Sequence, residues 1–239
     1  MAASVQPTHS PISTRDVILD GAERVFGRFG FAGSSMREIS AEAGVAQALL
    51  HYHFKNKDSL YREVFNRRAT VISAHRRQQL TALLKSDQPA SLESVLKIIA
   101  APLPDIFAGA GQDTQHYLQM VAEVTVATDE RSVDIVDAFY DPIAKEMIAA
   151  FARVLPELSQ ETAKWAYLFA IGARLQAHAH NHRAARLSQP NQQNRPLSPH
   201  ALLVPFLAAG IRAMAGPADG QTSGDRVSTV RRGESRAKS

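Results

Sequence analysis

The sequence predicts an all-α protein: a helix-turn-helix near the N-terminus, followed by a larger helical body. Three observations carry this. Between Ser35 and Lys57 a helix start, a glycine stop and a second helix start follow one another in one short stretch. Segment after segment then places apolar residues at i, i+3, i+4 and i+7, the period of a helix with one buried face. The last two segments have broad apolar faces suited to helix-on-helix packing, within the chain or across a two-fold axis.

Taken in order, residues 1–12 carry no charged side chain and hold Pro7 and Pro11, the composition of a disordered arm. A first helix starts near Ser13 or Thr14, with Val17 or Ile18, Ala22, Val25, Phe26 and Phe29 on its stripe, and Gly30 stops it. Gly21 and Gly27 cost about 1 kcal/mol each in a helix interior relative to Ala; close packing is the expected reason at Gly21. Ser35 is an N-cap and Glu38 completes a capping box for Met36–Ala43. Gly44 ends that helix as a left-handed residue, Val45 fills the corner, and Gln47–His53 makes a second short helix. In a helix-turn-helix that second helix enters the DNA major groove. The pattern alone also fits any tight helical hairpin.

The body is expected to run from residue 58 to 215. A long helix begins near Lys57 and passes Arg77; its two basic pairs, Arg67/Arg68 and Arg76/Arg77, suit either a solvated face or DNA. Lys85 to Ala90 is a loop, and Ser91 caps a helix with Leu92, Val95, Leu96, Ile99 and Leu103 on its apolar side. After a glycine-containing break at Ala108 to Asp113, a helix covers Thr114 to Ala127. One long helix from Ser132 to Leu155 is expected to kink at Pro142. Another runs from Ser159 to Arg186, and a polar loop from Gln189 to Pro199 leads to a last helix ending at Ala215. Residues 216–239 lack core-forming side chains and read as a disordered tail, whose RVSTVRR run offers a weak nucleic-acid contact.

Charge separates these regions. The chain has 239 residues and a net charge of +4. Thr14 to Ser86 holds 12 Lys/Arg against 7 Asp/Glu, whereas residues 87–239 hold 15 against 16. The basic excess therefore lies with the helix-turn-helix, as a phosphate-facing surface requires. The absence of cysteine excludes disulfides and thiolate metal sites. With no apolar run of about 18 residues and no signal-like start, a cytoplasmic location away from membranes is expected. There is no GxSxG and no GxxxxGK[ST], so neither enzymatic activity nor a cofactor is expected. The alternative is a metal-dependent helical enzyme or sensor built on His178 and His182, which stand at i, i+4. Arg174, Arg183 and Arg186 crowd that segment and oppose a cation. Glu130, Asp134, Asp137 and Asp141 form an acidic stripe that reads first as a solvated face.

The segments TRDVILDGAERVFGRFGFAGSS, MREISAEAGV and LLHYHFKNKDSLYREVF, in this order, resemble the N-terminal domain of the TetR family of bacterial transcriptional regulators. The resemblance implies that residues 13–57 form a DNA-binding domain and residues 58–215 a ligand-binding and dimerisation domain. The partners it implies are a double-stranded DNA operator, a small-molecule effector and a second copy of the chain. It places base contacts at Arg37, Gln47, Ala48 and His51, and phosphate contacts at Ser35, Tyr52, His53 and Lys57. Gln can bond adenine in a bidentate way, and an Ala methyl can meet a thymine methyl. Two positions depart from the family pattern: Ala46, where a capping hydroxyl is common, and Leu49, where a hydroxyl residue often meets a phosphate. The family's usual mode is a repressor released from a palindromic operator by its effector. A faint likeness of the stretch from Phe139 to Ala173 to lipid-sensing members suggests a lipophilic effector. Its expected pocket uses Tyr117, Val121, Val124, Tyr140, Met147, Trp165, Phe169 and Arg174; the same residues would also serve as plain core.

Overall fold

A computed structural model describes residues 13–107, 114–178, 186–187 and 198–215. Its elements are α1 Thr14–Phe29, α2 Met36–Ala43, α3 Gln47–His53, α4 Lys57–Lys85, α5 Leu92–Ala100, α6 Leu103–Ile106, α7 Gln115–Val126, α8 Glu130–Phe139, α9 Asp141–Val154, α10 Gln160–His178 and α11 Pro199–Met214. Every one is a helix, so the all-α expectation holds. The expected arm (residues 1–12), tail (216–239) and break (108–113) lie outside the described residues. Among the described residues, no helix is long and apolar enough to cross a membrane.

Local chemistry sets the boundaries of the head. The Ser13 hydroxyl accepts the Asp16 N–H at 3.1 Å and starts α1. At α2 the Ser35 hydroxyl accepts the Glu38 N–H at 3.2 Å and donates to the Glu38 carboxylate at 2.7 Å. Gly44 has φ 66° and ψ 28°, a left-handed stop that a Cβ would strain. The turn is closed by Val45 N–H donating to the Ser40 carbonyl at 3.0 Å. Asn56 and Ser59 form a reciprocal capping box at the start of α4.

Two apolar cores follow, and they do not divide at Lys57. The first gathers Ile18, Phe26, Ile39, Leu50, Tyr61 and Phe65 of the head with Tyr117, Met120, Val121 and Val124 of α7. The second fills the space between α5, α9, α10 and α11 with Leu96, Ile99, Met147, Phe151, Ala166 and Leu207. Helix α4 passes from one to the other. Contact between α1 and α7 is close because Gly27 has no side chain: a Cβ there would lie 2.5 Å from His116 Cβ and 2.6 Å from its Cα. Gly21 permits the same against Ala43, whose Cβ would be 2.8 Å away.

Two expectations are corrected. Residues 132–155 are two helices rather than one kinked helix, with Tyr140 between them and Pro142 in the first turn of α9. Proline lacks an N–H and crowds the carbonyl four residues back, so the chain breaks and uses it where no N–H is needed. Helix α10 is described to His178; residues 179–185 of the expected run to Arg186 lie outside the described residues. Of the two basic pairs on α4, one member of each is turned inward, while Arg77 stands on the solvated face. Arg68 and Arg76 are buried, Arg67 Nη1 lies 2.8 Å from Asp20, and Arg77 Nη2 lies 2.6 Å from Glu146. Arg68 grips the buried Glu23 with two bonds of 2.7 Å, pinning α4 to α1.

Candidate functional site: nucleic-acid interface and body cavity

Helix α3 is anchored by Leu50, which is fully buried in the head core. That orientation turns Gln47, Ala48, Leu49, His51 and Tyr52 outward, and Tyr52 is 82% exposed. Arg37 is exposed on α2 beside it, and His53 is half-buried with its ring centroid 5.3 Å from that of Tyr52. All four residues expected at base edges therefore stand on the open surface of the helix-turn-helix. No side chain caps α3 at Ala46.

The residues expected at phosphates divide. Tyr52 and His53 border the open face. The Ser35 hydroxyl is taken up by capping α2. Lys57 Nζ donates to the carbonyls of Phe31 at 2.8 Å and Ser34 at 2.9 Å, and lies 4.3 Å from the Phe31 ring. An ammonium has three N–H donors, so Lys57 primarily ties the α1–α2 turn to α4. Lys55, exposed in the link between α3 and α4 and passed over in the sequence, is the cation with open access. Five of the head's arginines are held in local ion pairs: Arg15 pairs with Glu63, Arg24 and Arg28 with Glu42, and Arg67 and Arg68 with Asp20 and Glu23. Arg37 and Lys55 make no ion pair among the described residues.

A cavity of about 330 Å³ lies between α4, α7, α8 and α10. Tyr117, Val121, Tyr140 and Arg174, all expected in the pocket, line it together with Ile72, Arg76 and Tyr167. The other four expected residues are corrected. Val124 is buried in the head core and Met147 in the body core, because α9 turns the Met147 side toward α5 and α10. Trp165 and Phe169 sit one turn apart on an exposed side of α10 outside the cavity lining, 53% and 57% exposed, with ring centroids 5.9 Å apart. The Tyr117 and Tyr140 hydroxyls share a hydrogen bond of 2.7 Å. Burial pushes the Tyr117 phenol up to about 12 and raises Tyr140 and Tyr167 as well, so all three remain neutral donors near pH 7.

Both tyrosine-bearing walls continue to the head. His116, next to Tyr117, abuts Gly27 of α1. Helix α8, which ends at Tyr140, begins beside Arg131; its Nε lies 2.7 Å from Asp58 and its guanidinium 3.6 Å above the Phe31 ring.

The histidine pair expected in the metal-dependent alternative is only half described, since His182 lies outside the described residues. His178 Nδ1 is 2.8 Å from the Arg174 carbonyl, and its ring packs edge-on against His200 at 4.3 Å. Among the described residues no group of three or more His, Cys, Asp or Glu could hold a metal ion. Burial, helped by the Arg174 charge, lowers the His178 pKa to about 4. An unfolded chain takes up this proton near pH 6.5, whereas the folded chain resists until about pH 4. The stability associated with neutral His178 is therefore complete above pH 6.5 and is lost as pH falls toward 4. Thermal melts should show a smaller drop over this range in His178→Leu than in the wild type. Superimposable pH profiles would refute the assignment.

Comparison with known proteins agrees with this architecture. Residues 18–64 match the family model described as "Bacterial regulatory proteins, tetR family", and residues 97–210 match "Tetracyclin repressor-like, C-terminal domain". The chain is 40% identical over 52 residues to the HTH-type transcriptional regulator AcrR of Shigella flexneri, covering 22% of this chain and 24% of that one. It is 32% identical over 74 residues to the HTH-type transcriptional repressor AcnR of Corynebacterium glutamicum, covering 29% and 39%. It thus spans about a quarter to two fifths of the length of these curated relatives. A TetR-family transcriptional regulator from Bordetella parapertussis 12822 superposes with a TM-score of 0.57 at 16% identity, over 81% of this chain and 91% of that one, which shows the shared fold. With its head and body each matched in order and the whole fold shared, the chain belongs to the TetR family of bacterial regulators.

Proposed function

We propose that this protein is a DNA-binding transcriptional regulator, a homodimeric repressor in the cytoplasm that releases a palindromic operator when a small effector enters the body cavity. The observation that carries the reading is α3, held by Leu50 and presenting Gln47, Ala48, His51 and Tyr52 to the outside. Two such helices, one per protomer, suit half-sites about one helical turn apart. The names of the matched relatives, a regulator and a repressor, point the same way. Dimerisation is supported by an open apolar seam: Trp165, Leu168 and Phe169 on α10 and Leu202 and Phe206 on α11 are all at least half exposed.

The route from effector to DNA follows the two walls. A ligand that spreads Tyr117 from Tyr140 displaces α7 against Gly27 and α8 against Phe31 and Asp58, and both contacts tilt the head. Effector and operator then oppose one another through a single coupling free energy, so operator DNA must weaken effector binding by the same factor.

Enrichment of the full-length protein on random duplex DNA should yield an inverted repeat. Titrations on that site at several salt concentrations should separate two classes of contact. Lys55→Ala and Tyr52→Phe should weaken binding to all sequences, and the lysine change should lower the salt slope by about one per subunit. Gln47→Ala should relax preference at one base pair per half-site, at a cost of about 1–3 kcal/mol. Failure to enrich any sequence, or a salt-independent effect of Lys55→Ala, would overturn the reading.

A further inference from the structure

The cavity combines two features that do not belong together in an empty apolar core. Arg76 of α4 and Arg174 of α10 line it and are only 4% and 5% exposed. Neither guanidinium is in an ion pair among the described residues, and the Nε of each is buried without a hydrogen-bond partner. Arg174 makes one long bond, from Nη2 to the Ala101 carbonyl at 3.4 Å. A buried guanidinium normally has a carboxylate or a full set of acceptors, because an uncompensated buried charge is costly. The same helix supplies the contrast: Arg68, two turns before Arg76, is just as buried but is bonded through two nitrogens to Glu23. Among the described residues, one buried arginine of α4 therefore has an ion-pair partner and the next has none.

The rest of the wall is apolar or a neutral donor. Ile72, Val121 and Val136 contribute hydrocarbon, while Tyr117, Tyr140 and Tyr167 contribute phenols. One carboxylate, Asp141, also borders the cavity; it is only partly buried and equally faces a second hollow beside Val133 and Asp137. Burial together with the charge of Arg76 lowers the Arg174 pKa to about 9, which leaves it protonated at neutral pH. At about 330 Å³ the space lies at the compact end of ligand pockets.

Resting on the effector reading above, we propose that the cavity is an organic-anion site: it takes a compact carboxylate with an apolar body, whose headgroup lies against Arg76 and Arg174 and whose hydrocarbon lies along Ile72, Val121 and Val136. The carboxylate supplies the counter-ion that the fold withholds, and the tyrosine hydroxyls complete its hydrogen bonds. A neutral lipophile of the same shape leaves both guanidiniums unpaired. A cationic ligand meets two like charges.

The test uses matched probes with the full-length protein: octanoate, decanoate and 4-phenylbutyrate, each beside its primary amide. Calorimetric titration should give tighter binding of at least one acid than of its amide, by tenfold or more. Arg174→Met and Arg76→Met keep an unbranched stem that reaches about as far as the arginine Nε but remove the charge. Each should abolish that preference while retaining the amide's affinity, which also certifies that the cavity is still folded. Arg174→Lys should keep part of the preference. Equal binding of acid and amide in the wild type, or an undiminished preference in both Met variants, would overturn the anion site and leave a lipophilic pocket standing. If no acid or amide binds at millimolar concentration, both the anion site and the cavity's role as an effector pocket fall, while operator binding is judged separately by the DNA enrichment.

Discussion

Phe206→Glu is expected to turn the protein into a folded monomer that no longer holds its operator tightly. Phe206 is 69% exposed on α11, one turn from Leu202, which is 51% exposed. On α10, which packs against α11, Trp165, Leu168 and Phe169 are exposed as well. A single copy leaves these apolar side chains uncovered, and a two-fold partner would bury them. A carboxylate placed there stays hydrated in the monomer and must be desolvated in the dimer, so the cost falls on association. Each head alone then grips one half-site, and the loss of bivalent binding should lower operator affinity by about 100-fold or more. Sedimentation and DNA titration of the variant check both effects. A wild type that is folded yet monomeric at micromolar concentration, or a variant that remains dimeric, would defeat the expectation.

Glu23→Ala should be the most destabilising single change in the head. It leaves Arg68, 5% exposed, without its carboxylate partner, while Arg67 keeps Asp20 at 2.8 Å. Removing one partner of a buried pair typically costs about 3–5 kcal/mol, because the remaining charge is stranded. Replacing both members with apolar residues of similar volume, as in Glu23→Leu with Arg68→Met, should recover most of that loss. Urea denaturation of the two variants decides the matter: a double variant as unstable as the single one would show that the pair's geometry, rather than the stranded charge, controls stability. Both changes lie away from the exposed face of α3, so folded protein at low temperature should still bind DNA.

The helix-turn-helix was legible because its determinants are local. Ser35, Gly44 and Leu50 act on backbone groups and neighbours within a few residues, so cap, stop and buried face can be read from spacing. The outward side of α3 follows from the same register, since burying Leu50 turns Gln47, Ala48 and His51 outward. Buried arginines on α4 were also within reach. Val64, Arg68, Ile72, Arg76 and Leu80 stand four residues apart on one stripe, and a cation in the line of an apolar stripe is a buried cation. Its charge was read before its position.

What each buried cation faces could not be read that way. Glu23 is 45 residues from Arg68, and nothing in their spacing pairs them. Whether Trp165 and Phe169 or Tyr167 and Arg174 point into the cavity depends on which side of α10 meets α4 and α7, and α10 has apolar residues on both sides. Lys57 likewise is a cation whose surroundings, the Phe31 and Ser34 carbonyls, lie 26 and 23 residues away. The sequence by itself determined the all-helical fold, the position of α3 and the face it turns outward, because helix periods and caps are interactions of near neighbours. Tertiary structure alone decided that Arg76 and Arg174 share one cavity, that among the described residues Arg68 has an ion-pair partner and they have none, and that the cavity walls end on the head. These are consequences of how helices distant in the chain are packed, and the electrostatic energy of a buried charge depends on what that packing places beside it.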